Sequence, residues 1–171
     1  MNELDLAWSQ MLAQAIENAK VSGRSDVVDY LSLKAANDTL RAAGLKWLLD
    51  SAISIAAESN RASAGTSIER TEPHNFEDRG ANMVGSRLQV RLGVRCLTIE
   101  GGWTRTPADG FMRSGSLAFA RITHFGMPKS NVEIVLTRDE DPPGWRVIQD
   151  GQVRWPFTGA DLQKHFDTLF G

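Results

Sequence analysis

The stretch Ser86–Trp103, SRLQVRLGVRCLTIEGGW, decides how the chain is read. It is the longest alternating run in the sequence. Leu88, Val90, Leu92, Val94 and Cys96 share one parity; Arg87, Gln89, Arg91, Gly93 and Arg95 share the other. A period of two with one apolar side predicts a strand with a dry face and a wet face. Beyond Cys96 the pattern blurs, because Leu97 and Ile99 take the formerly wet parity. A bulge or bend at Gly93 in one long strand would account for this. The competing reading is a turn near Gly93 between two short strands, but Leu-Gly-Val is poor hairpin chemistry. One long bent strand, covered on both sides at its far end, is therefore expected.

Upstream of this strand the periodicity is helical. Leu4, Trp8, Met11, Leu12, Ala15, Ile16 and Ala19 form one face of a helix over residues 3–21. A second helix is predicted from Ser25 to about Ala43, and a third from Leu45 to about Asn60. Gly44 between them is either a break or a weak spot in one long helix, since an interior Gly costs only about 1 kcal/mol. The apolar stripes of this unit, residues 1–62, are wide enough to need a further partner, most simply the sheet. Residues 66–72 can form a strand, and PHNFEDRGAN, 73–82, reads as the most loop-like segment.

Downstream, residues 101–116 read as a long Gly-rich loop, followed by strands at 117–125 and 132–137. EDPPG, 140–144, is an emphatic turn. Asp150-Gly151 joins strands 145–149 and 152–157 in a tight hairpin, and Thr158 caps a helix over 159–170. Short turns and hairpin chemistry argue against a parallel βαβ plan. The expectation is one α+β domain, residues 1–171. Its helical hairpin or three-helix unit packs on a curved, mostly antiparallel sheet of five to six strands spanning 66–157, with a short C-terminal helix.

Composition is that of an ordinary globular chain: 171 residues, 42% hydrophobic and 23% charged, with a net charge of −2. That charge argues against a protein basic all over, but not against a local basic face. Residues 83–123 hold six arginines against Glu100 and Asp109, a balance of +4 that leaves −6 elsewhere. A single cysteine, Cys96, cannot form an intramolecular disulfide. The first residues lack a basic n-region and no run approaches a membrane span, so a cytoplasmic, membrane-free protein is expected.

Three clusters invite a functional reading. Arg87, Arg91 and Arg95 would project from one face of a regular strand, about 13 Å between successive members. With Trp103 nearby, such a face suits RNA, single-stranded DNA or an acidic protein surface; a solvated face with cross-strand ion pairs is the plainer reading. The 101–116 loop carries Arg105 and Arg113 among glycines and serines, and its N–H groups suit a phosphate or carboxylate, although no P-loop pattern is present. Glu69, Glu72, His74, Glu77 and Asp78 offer metal-type side chains, but no further His or Cys completes a set. His124 and His165 read as structural histidines, and Cys96 as a buried thiol. No nucleophile elbow or cofactor motif appears, so no metal or cofactor is expected. These features rank a non-enzymatic protein-interaction module first, with another protein or a second copy as partner. A nucleic-acid binder on the arginine face comes second, and a small anionic-ligand binder or enzyme near 101–116 third.

Overall fold

The computed structural model describes residues 3–139 and 142–171. Two helices come first, α1 (Glu3–Val21) and α2 (Ser25–Arg61). Seven strands follow: β1 (Ser67–Asp78), β2 (Ala81–Leu92), β3 (Arg95–Trp103), β4 (Ala118–His124), β5 (Val132–Thr137), β6 (Gly144–Gln149) and β7 (Gln152–Pro156). Helix α3 (Gly159–Phe170) completes the order. The strands form one antiparallel sheet in chain order, a seven-stranded meander. The α+β plan therefore holds. The sheet has seven strands rather than five to six, and it is not strongly curled.

The extra strand comes from the run around Gly93. Instead of one bent strand, the chain turns: Leu92 pairs with Arg95 and Val90 with Leu97. Gly93 has φ 60°, as the first central residue of a type II′ turn requires, and Val94 takes the second place. A two-residue turn carries the next strand back beside the last, so paired rather than alternating residues share a face. Leu88 and Val90 thus face the same way as Leu97 and Ile99, and the blurred pattern is explained. A second hairpin occupies the segment read as loop 73–82. Arg79 and Gly80 both have positive φ, 48° and 83°, between paired Asp78 and Ala81. Arginine is an unusual first residue for such a type I′ turn, which hid it. The Asp150-Gly151 hairpin forms as expected, with φ 54° and 73°. The EDPPG turn falls partly on residues 140 and 141, outside the described residues.

Helix α2 runs unbroken through Gly44. A Cβ at Gly44 would lie 2.6 Å from Leu136 Cδ2, so the glycine lets helix and sheet approach. Trp145 Nε1 donates to Gly44 O at 3.0 Å and ties β6 to the helix. Leu45, Leu48, Leu49, Ala52 and Ala56 of α2 pack on Leu88, Val90, Leu97, Ile99, Ile122 and Ile134. Leu162, Phe166 and Leu169 of α3 close the same core. Thr158 and Asp161 cap α3 reciprocally.

The opposite sheet face is a second, smaller layer. Met83, Phe119, Val135 and Ile148 are buried there beneath Phe76, Met112 and Val153. At Gly85 and Gly102 the paired strands β2 and β3 approach so closely that a Cβ on Gly85 would sit 1.8 Å from Gly101 O. Among the described residues no helix is long and apolar enough to cross a membrane.

Candidate functional site

The three arginines of the expected ladder do not share a face. Arg87 and Arg91 lie on β2 with side chains on the face away from the helices. Arg95 starts β3 on the helix side, where its Nη1 donates to Leu169 O at 3.1 Å. The turn at Gly93 is the physical reason, since it reverses the parity relation between the two strands. The same reversal moves Cys96 off the dry face: it is half-buried beside Thr98, at 3.7 Å.

Across the outer face the register builds a charge row. Thr71, Arg87, Glu100, Arg121 and Glu133 stand opposite one another on five successive strands. From Arg87 to Glu133 the signs alternate, an arrangement that suits cross-strand pairs, and Glu100–Arg121 forms one such pair. Glu100 forms an ion pair with Arg121, 2.8 Å from Oε1 to Nε, and contacts His74 Nε2 at 2.7 Å. His74 stacks on Phe76, ring centroids 5.6 Å apart. This row could not be read from the sequence, because the signs alternate across strands rather than along one.

The loop arginines also have internal partners. Arg105 lies over the Trp103 ring at 4.0 Å and donates to Asp5 Oδ1 and Val84 O, both at 2.9 Å. Trp103 itself is 2% exposed. Arg113 makes a fork to Asp78, two bonds of 2.7 Å, and reaches Glu133 at 2.6 Å. Those hydrogen bonds to Asp78, and then Glu133, push the Arg113 pKa further up. Arg105 thus pins the helical hairpin to the sheet, and Arg113 pins its loop over the outer face. The acidic group of 69–78 is dispersed along β1: Glu72 accepts from Ser86 and Arg70, His74 meets Glu100, and Asp78 meets Arg113. No group of three metal-type side chains converges among the described residues.

His124 and His165 meet. His124 Nε2 and His165 Nδ1 are 2.8 Å apart, with rings stacked at 5.1 Å. Burial lowers the pKa of both; His165 falls to about 4, with the His124 charge adding to the effect.

The largest departure from expectation is on the helices. The stripe of α1 was expected to find the sheet, yet only Leu12 and Ala19 of α1 are buried. The buried residues of α2 begin at Leu45. Residues 3–43 therefore form a hairpin packed mainly on itself, with Trp8 Nε1 donating to Asp38 at 3.2 Å. Leu4, Leu6, Met11, Val21, Tyr30 and Leu33 are exposed on it; Met11 is 64% and Tyr30 61% exposed. Tyr30, Leu33 and Lys34 form one wall of a groove of about 290 Å³, and Pro107 and Phe111 face them. Phe111 is 90% exposed.

Compared with protein-family models, curated proteins and solved structures, the chain matches none.

Proposed function

We propose that the chain is a non-enzymatic protein-interaction module that docks a partner protein on the α1–α2 hairpin. One observation carries this reading. Six of the large apolar side chains left exposed, Leu4 to Leu33, lie on α1 and the first part of α2, ahead of the Leu45–Ala56 stripe that packs on the sheet. Single exposed apolar side chains are ordinary, but a concentration on one element marks an interaction surface. The groove beside it accepts a helix or extended segment through Tyr30, Leu33 and Phe111. Asp5–Arg105 and Trp8–Asp38 hold the hairpin in place at one end, so the surface is presented rather than free to collapse.

Size-exclusion chromatography with light scattering, together with pull-down from the native host, tests the reading. A Met11→Glu/Leu33→Glu double variant changes only exposed positions and should keep its circular dichroism and melting temperature. It should lose the self-association or the captured protein seen with the unaltered chain. An unaltered chain that is monomeric and captures nothing, or a double variant that keeps its partner, would sink the proposal.

A further inference from the structure

We propose that a notch on the outer sheet face, beside the β2–β3 turn, binds a small aromatic carboxylate, its charge held by Arg91 and its ring by Phe125. The inference is independent of the hairpin reading, since this face of the sheet points away from the helices.

The register builds the notch. Arg91 on β2 stands opposite Cys96 on β3. Just past the end of β4, Phe125 N donates to Cys96 O at 2.9 Å. Arginine, cysteine and phenylalanine thus follow one another across the sheet. Neighbouring strands lie about 4.8 Å apart, so roughly 10 Å separates the Arg91 and Phe125 backbones. Between these two long side chains lies the short one of Cys96. The next row, Gln89, Thr98 and Thr123, continues the floor on the same face. Val94, 90% exposed at the turn, closes one end. The space is about 350 Å³, within the roughly 300–1,000 Å³ of small-molecule sites. Of the lining, His124 belongs to the other face, where its ring meets His165.

Charge selects an anion. Among the described residues, Arg91 is the one ionised side chain that lines the notch. Arg105, Arg113 and Arg121 are each held by a carboxylate; the Arg91 guanidinium has no such partner among the described residues. Glu69 comes nearest by register, opposite Gln89 on β1 and diagonal to Arg91, and forms no ion pair with it. Arg87, on the same face of β2, offsets that charge. A planar guanidinium offers a carboxylate two parallel hydrogen bonds.

The apolar walls select the rest of the guest. Turn chemistry at position 94 favours Asn, Asp or Ser after the glycine, so the valine is not explained by the turn. Phe125 is 77% exposed, and its ring is open to offset or edge-to-face packing with a second ring. The span from cation to ring suits one aromatic ring joined to one carboxylate.

The test uses the full chain and two isosteric probes, phenylacetate and the neutral phenylacetamide. Shift titration by NMR should show saturable changes at Arg91, Cys96 and Phe125. Phenylacetate should bind about fivefold more tightly, the upper range for an exposed charge pair, and added salt should shrink the difference. Cys96 is the single cysteine, so alkylation by iodoacetamide reports on the floor of the notch and should slow as phenylacetate saturates. Arg91→Gln and Phe125→Ala change exposed positions and should leave the circular dichroism unaltered. The first should make the two probes equal, and the second should weaken both. The absence of saturable binding, equal affinities in the unaltered chain, a Cys96 rate indifferent to bound phenylacetate, or a preference that survives Arg91→Gln overturns the proposal.

Discussion

The stacked pair of buried His124 and half-buried His165 makes the stability of this fold depend on pH between roughly 6.5 and 4. His165 titrates near 4 in the folded chain and near 6.5 once unfolded. The folded pKa is the lower one, so on acidification the unfolded chain takes up the proton first. Stability is therefore full above about pH 6.5 and is lost as pH falls toward 4. A gap of about 2.5 units corresponds to about 3 kcal/mol in total, of which about 2 kcal/mol is gone by pH 5. His124 shifts in the same direction and adds to the loss. Asp161 acts against it, since its carboxylate raises the His165 pKa, while Lys164 engages that carboxylate at 3.5 Å. The perturbation is His165→Gln, whose amide can still bond His124 but does not titrate. Urea unfolding followed by tryptophan fluorescence at pH 7, 6 and 5 gives the stability of each form. Carboxylates protonate in both proteins, so the difference between the two isolates the histidine. The unaltered chain should be more stable at pH 7 and should lose about 2 kcal/mol of that difference by pH 5. A difference that stays constant over this range would refute the reasoning.

Two further perturbations test the outer face. Gly85→Ala places a Cβ against backbone, 1.8 Å from Gly101 O, which strands β2 and β3 can relieve only by separating. A loss of about 3 kcal/mol or more is expected in urea unfolding, and a near-neutral variant would show that the strands have slack. Arg113→Met removes the fork on Asp78, which is 8% exposed, and should cost about 2–3 kcal/mol. Asp78→Asn in the same background should recover part of that loss, and a salt titration should show little screening because the pair is enclosed.

What the sequence showed and what it hid follow from the range of the forces involved. The stripe Leu45, Leu48, Leu49, Ala52 and Ala56 and the α3 face of Leu162, Phe166 and Leu169 are local periodic patterns, and each element was legible from them. The Asp150-Gly151 hairpin was legible for the same reason, as its turn chemistry is contained in two residues. Gly93 misled because one glycine suits a bulge and a type II′ turn equally, and the residue that decides, Val94, has no turn preference. That single ambiguity created the apparent arginine ladder and misplaced Cys96. The charge row from Arg87 to Glu133, the Arg113 fork and the His124–His165 contact join residues far apart in sequence. They depend on register, which no short window contains. The exposure of α1 was hidden differently: its stripe implies burial, but the surface that would bury it is absent from the described part of the fold.

The order of the strands has a further consequence. In a sheet with crossovers, connecting segments must run over a face and thereby decide what that face can touch. Here each strand lies beside its sequence neighbours, and no connection is compelled to cross. The helix side is covered by α2 and α3, which flank the meander in the chain; on the other side Phe76 of β1, Val153 of β7 and the β3–β4 connection, with Met112 and Arg113, lie over the small outer cluster. The strand ladder does not require this connection to have a particular length, but its chemistry is tied to both layers: Met112 packs on both clusters, and Arg105 and Arg113 reach Asp5 and Asp78.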